Sequence, residues 1–204
     1  MFTSIHTTAR KATVTLSRLL GLPLGLLLTS FAAHADWQLV NEASQLNFIS
    51  TKATHIAETH GFTRLTGNIS GTGVAELNID LSSVDTGIEI RNTRMQSMLF
   101  DVVNFPQAQI RTKLDLAALQ SLEGPRRLPI SAALSLAGQS AQVNGEVLVV
   151  PIDANTVSVT TVQPIVVNAN ALDLVAGIER LREVAGLPSI GYSVPVTFSL
   201  TFNR

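Results

Sequence analysis

Residues 79–111, IDLSSVDTGIEIRNTRMQSMLFDVVNFPQAQIR, decide how the rest of the chain is read. Val84, Thr86, Ile88 and Ile90 alternate with Asp85, Gly87, Glu89 and Arg91, the two-residue period of a half-buried strand. Then the period changes. Met95, Met98 and Leu99 fall at i, i+3 and i+4, which predicts a short helix beginning near Asn92 or Thr93. Pro106 restrains Phe105 to an extended conformation, so that helix ends before it. From Ala108 the two-residue period resumes, and the stretch as a whole predicts strand, helix, kink and strand.

Working outward, the N-terminus reads as a cleavable export signal. Arg10, Lys11 and Arg18 supply the positive region, Leu19 to Leu28 the apolar run, and Ala33-His34-Ala35 the small residues at a cleavage site after Ala35. The apolar run is shorter than the ~20 residues of a membrane span. With no cysteine in the chain there is no lipoprotein anchor, disulfide or thiolate chemistry. The expected product, residues 36–204, is a single domain of the exported, periplasmic kind. Losing three basic residues of 14 leaves 11 against 15 acids, a net charge of −4. No basic run remains, which argues against nucleic acid as a partner.

The flanking segments predict more strands. Trp37 to Val40 and Leu46 to Thr51 read as strands about a polar turn, and Lys52 to Arg64 as irregular strand. Gly67, Gly71 and Gly73 punctuate the approach to Leu77, Ile79 and Leu81. Ala108 to Leu116, Leu128 to Leu136, Ala141 to Val149 and Val157 to Thr161 each alternate, with a hairpin expected at Gly138-Gln139. Asn170 is placed to cap a helix carrying Leu174, Ile178, Leu181 and Ala185, stopped by Gly186 and Pro188. Ile190 to Phe202 is the longest alternation. About eight strands with one buried face each, two short helices and few aromatics predict an all-β, antiparallel barrel in preference to a sandwich.

Catalytic groups are scarce. His55 and His60, five apart, point to opposite faces of a strand and read as solvated or singly bonded, not as a metal pair. Gly67-Asn68-Ile69-Ser70-Gly71 sets its serine one place too late for a nucleophile elbow. Gly71-Thr72-Gly73 is too short to cradle phosphate, and Asp80 and Asp85 face oppositely. Arg91 and Arg94 stand beside the apolar helix. They read either as ion-pair partners of Asp85 or Glu89 or as cations at the mouth of a greasy interior, with the methionines closing a core or lining a tunnel.

Trp37-Gln38-Leu39, Leu46-Asn47-Phe48, Gly67 after Phe62, and the 79–110 stretch together resemble the YceI-like family of exported lipid-binding proteins. The most specific part is Thr86, Arg91-Asn92, Phe100 and Phe105-Pro106, which match a strand ending in Thr-x-x-x-x-Arg-(Asp/Asn), a helix ending in Phe and an aromatic-Pro pair. The resemblance implies an extended, lipocalin-like, eight-stranded barrel holding a long isoprenoid amphiphile, an isoprenoid quinone or prenyl phosphate, for storage, transport or sequestration. No catalysis and no required cofactor are implied beyond the bound lipid; a transient membrane or redox partner and a homodimer are compatible with it. The lining expected on this basis is Phe48, Leu77, Ile79, Ile88, Ile90, Met95, Met98, Leu99, Phe100, Phe105, Ile110, Ile178, Leu181 and Phe198, with Arg91 and Arg94 as gatekeepers. The sequence departs from the family pattern at Ala171 to Leu187, where the helix is longer than usual.

Overall fold

The computed structural model describes Met1 and residues 36–117 and 123–204; the predicted export signal lies outside the described residues. The strands are β1 (Trp37–Leu39), β2 (Gln45–Lys52), β3 (Ile56–Phe62), β4 (Leu65–Ile69), β5 (Val74–Asp80), β6 (Val84–Asp85), β7 (Gln107–Lys113), β8 (Arg126–Leu136), β9 (Gln139–Asp153), β10 (Thr156–Thr161), β11 (Ile165–Asn168) and β12 (Ser193–Asn203). Several are halves of one broken path. β12 pairs with both β1 and β2 on one side and with both β10 and β11 on the other. β1 pairs in turn with β4, which closes the ring. β2 pairs with β3, β3 with β6, and β4 with β5. Joining β1 to β2, β3 to β4, β5 to β6 and β10 to β11 leaves eight antiparallel strands in a closed barrel. Among the described residues each of the eight is paired on both sides over at least part of its length, β8 meeting β7 only through Ala133, Leu134 and Ser135.

Alternation sets which residues face inward. Leu65 lies opposite Ile79, and Leu77 opposite Ile110; Leu134 faces Ile110 and Ala141, and Leu200 faces Val159. Leu46, Leu65, Ile69, Leu77, Ile79, Leu81, Val84, Met95, Phe100, Ala108, Leu200 and Phe202 form the buried core.

The central stretch departs from the predicted pattern. Only Val84–Asp85 is strand, and the helix starts at Glu89, three to four residues early. Gly87 at φ 71°, with its N–H donated to the Asp85 carboxylate at 2.8 Å, turns the chain out of the sheet. Thr86 then donates its N–H and its hydroxyl to Asn92 Oδ1 at 2.9 and 2.6 Å, which locks the turn onto the helix. Helix α1 (Glu89–Arg94) runs on as a wider π turn over Met95–Phe100, ended by Asp101 in the left-handed conformation. The irregular strand predicted over Lys52 to Arg64 is a regular hairpin, β2–β3, turned at Ala53 and Thr54, both at positive φ. The β8–β9 turn is Ala137-Gly138, one residue earlier than predicted, because both residues take positive φ. Helix α2 (Val175–Val184) starts late: Asn168, not Asn170, accepts from a backbone N–H, and a short turn over Ala169–Leu172 intervenes.

Candidate functional site

The barrel interior changes character along β2 and β3. Their inward positions pair Leu46 with Phe62, Phe48 with His60, Ser50 with Glu58 and Lys52 with Ile56. Leu46 belongs to the core. Past Phe48 the wall turns polar. Ser50 Oγ and His60 Nε2 are 2.9 Å apart, and Lys52 Nζ donates to Glu58 Oε1 at 2.8 Å. Arg91, projected from α1, donates Nη1 to Glu58 Oε2 at 2.6 Å and Nη2 to the Thr86 carbonyl at 2.5 Å. One carboxylate is therefore shared by two cations.

Two atoms in this cluster are buried without a protein partner: His60 Nδ1 and Arg91 Nε. His60 is 5% exposed. Burial holds its pKa below the ordinary histidine value, and the Arg91 charge acts in the same direction. The Lys52 hydrogen bond holds Glu58 below the usual carboxylate range against a desolvation that opposes it, with Arg91 reinforcing the effect.

An aromatic ladder joins the polar cluster to the core. Phe48 sits 5.2 Å from His60 and 5.5 Å from Phe62, which is 6.0 Å from Phe100. Beside it Val157, Val159, Val196 and Phe198 pack against the core while remaining only half-buried.

The predicted lining is scattered over three environments. Leu77, Ile79, Met95 and Phe100 are core, and Phe48, Leu99, Ile110, Leu181 and Phe198 pack against it. Ile178 is buried in α2, and Met98 is half-buried with its carbonyl taken by Arg180 at 2.9 Å. Ile88 and Ile90, 49% and 57% exposed, are corrected: the turn at Gly87 puts them outside the sheet whose alternation would have aimed them inward. Phe105 is also outside, its ring against Gly138, where an added Cβ would approach to 2.8 Å. Arg91 pairs with Glu58, not with Asp85 or Glu89. Arg94, three residues on, is half-buried. Residue patterning missed Ser50, Lys52, Glu58 and His60. The signal for them was there: all four are even-numbered and share a face once β2 and β3 are read as one hairpin.

Two external hollows are lined by described residues. One of about 190 Å³ lies among Leu99, Asp101, Phe105, Leu172 and Arg180, and one of about 320 Å³ among Val74, Arg111, Lys113 and Gln142. Among the described residues no cluster of three metal-ligating side chains occurs, and no helix is long and apolar enough to cross a membrane.

Residues 37–202 match the YceI-like domain. A solved polyisoprenoid binding domain from Saccharophagus degradans, described as implicated in plant cell wall breakdown, is 39% identical, with a TM-score of 0.80 over 82% of this chain and 98% of that one. Burkholderia cenocepacia BcnA is 17% identical at a TM-score of 0.63, covering 80% and 98%, and a Campylobacter jejuni YceI protein 10% identical at 0.53, covering 71% and 84%; these two share the fold. No curated protein matches the chain. On the match over nearly all of the described barrel and the 39% identity to the Saccharophagus domain, the chain belongs to the YceI-like family.

Proposed function

We propose that this chain is an exported, non-enzymatic binding protein that holds a long isoprenoid amphiphile, an isoprenoid quinone or prenyl phosphate, inside its barrel for storage, transport or sequestration. The observation that carries the reading is the inner wall where Phe48, Phe62, Val157, Val159, Val196 and Phe198 keep accessible surface between a packed core and a polar end. An amphiphile needs that gradient. The 39% identical Saccharophagus degradans domain is described as polyisoprenoid-binding, which supports the same ligand class here. The N-terminal charge, apolar run and Ala33-His34-Ala35 support export to the periplasm.

The tail dominates the energetics. Each buried methylene contributes about 0.8 kcal/mol, so ten carbons give roughly 8 kcal/mol before ordering costs. An exposed ion pair adds only about 0–1 kcal/mol. Affinity follows the chain and selection follows the head. Organic extraction of the purified residue 36–204 protein, followed by mass spectrometry, tests the proposal. Recovery of an isoprenoid is expected; a barrel repeatedly empty and refusing both quinones and prenyl phosphates would refute it.

A second reading is that the interior is filled by its own side chains and the barrel works through its surface. The dense packing of Leu65, Leu81 and Ala108 favours it at that end of the molecule.

A further inference from the structure

An isoprenoid tail dissolves in a bilayer far better than in water. Moving ten carbons from an apolar medium into water shifts the equilibrium about a millionfold against the free chain, so a carrier waiting in solution meets almost none. Loading depends on which end of the barrel meets a lipid surface.

The ends differ in what they expose. Ile56, which begins β3 opposite Lys52, is 50% exposed, and Ile88 and Ile90 at the start of α1 are 49% and 57% exposed. Ile190, bridged to Lys52, is half-buried at the same hairpin tip. Single exposed aliphatic residues are ordinary on any surface, whereas several gathered at one rim from segments far apart in sequence mark a contact site. The Arg91–Glu58 bond of 2.6 Å gathers them: it ties α1, one residue beyond Ile90, to β3, two residues beyond Ile56. The α1 isoleucines are also firmly held. Gly87 turns the chain outward, Thr86 bonds to Asn92, and the Ile88 carbonyl accepts from the N–H groups of Arg91 and Asn92 at 3.0 Å each.

Charge narrows the partner. Around this rim Lys52, Arg91 and Arg94 stand against Glu58, Asp85 and Glu89, three cations to three anions, although residues 36–204 together carry −4. A balanced rim does not repel phospholipid headgroups, and it offers a protein partner of one sign little to recognise. Aliphatic side chains on such a rim enter the boundary between headgroups and acyl chains. Glu58 also belongs to the polar end of the inner wall, so a bilayer docked here lies against the end assigned to the ligand.

Resting on the lipid-binding reading, we infer that the rim of Ile56, Ile88 and Ile90 docks on a zwitterionic bilayer surface, and that the isoprenoid passes between bilayer and barrel during contact without crossing water.

The test mixes the residue 36–204 protein with phosphatidylcholine vesicles carrying an isoprenoid quinone, sediments the vesicles and measures quinone left with the protein. At a fixed quinone content per vesicle, the uptake rate rises in proportion to vesicle concentration. The double variant Ile88→Ser, Ile90→Ser lowers that rate at least tenfold, while equilibrium loading from detergent micelles is unchanged. Ile56→Ser, on the hairpin, lowers it about threefold and serves if the double variant does not fold. Ile152→Ser changes neither quantity: Ile152 is 60% exposed but stands at the opposite end, near Thr156, which pairs with Asp153 and Asn203. Full loading from micelles with a rate that ignores vesicle concentration, or that the double variant keeps, overturns the inference alone. So does a dimer in solution that the double variant dissolves while its uptake rate stands, which assigns the rim to a second copy. No loading from micelles by any form overturns the lipid-binding reading as well.

Discussion

At one end of the barrel Leu65, Leu81 and Ala108 are no more than 3% exposed, and Met95 and Phe100 of the helix close over them. Farther along β2 and β3 the same inward alternation carries Ser50, Lys52, Glu58 and His60, and the neighbouring valines and phenylalanines keep accessible surface. The strands are continuous across the two ends; their side chains differ. A close-packed end supplies stability without disulfides; on the proposed function the half-buried, polar end takes the ligand, and stability and binding then fall to different halves of one sheet.

Truncation at the packed end gives the largest stability loss. Leu81→Ala is expected to cost about 2–5 kcal/mol in urea unfolding, from lost transfer energy and the cavity left behind. Phe198→Ala, on the half-buried wall, is expected to cost no more than about 1–2 kcal/mol while weakening isoprenoid binding at least tenfold. Equal stability losses at the two sites would break the contrast.

Arg91→Met comes next. It removes one of the two cations on Glu58, the contact that ties α1 to the hairpin, and the bond to the Thr86 carbonyl in the turn before the helix. The pair is partly exposed, so its loss falls between the surface and buried extremes, about 1–3 kcal/mol by the same unfolding assay. Hydrogen exchange is expected to rise in β3 and in the Thr86–Ile88 turn while β5 and β7 stay protected.

Acid should loosen the polar end first. His60 has a folded-state pKa below its unfolded one, so the unfolded chain binds the proton more readily. Its contribution is complete above the unfolded value of about 6.5 and is lost as pH falls through the folded value. Glu58 is likewise lowered, and its contribution, complete above about 4.3, is lost as pH falls through its folded value. Urea midpoints should therefore drop between neutral pH and mild acid, and His60→Phe should flatten the part of that drop nearest neutrality. The smallest effect is expected at Ile88 and Ile90, where exposed isoleucines replaced by serine change stability by no more than about 0.5 kcal/mol.

Most of the barrel was legible because one-sided burial writes itself as alternation, as in β7, β8, β9 and β12. The β2–β3 hairpin was obscured by its polar inward face. Ser50, Lys52, Glu58 and His60 occupy inward positions that an apolar core would fill, so the alternation there is polar on both faces. Its turn, Ala53-Thr54, uses positive φ without glycine or asparagine, which removes the usual turn signal. Ile88 and Ile90 misled in the opposite way: two apolar residues at strand spacing sit in a turn and a helix because Gly87 and the Thr86–Asn92 bonds override the period. Arg91 stood out as a cation of the central stretch, but its partner, 33 positions away, was beyond any local pattern.

The most direct measurement is photocrosslinking with an isoprenoid quinone carrying a diazirine on its tail, followed by peptide mapping. Adducts are expected on Phe48, Phe62, Val196 and Phe198, lost on competition with unlabelled quinone. Adducts confined to the outer hollows around Phe105 or Lys113, or none that competition removes, would contradict an interior binding site between the packed and the polar end.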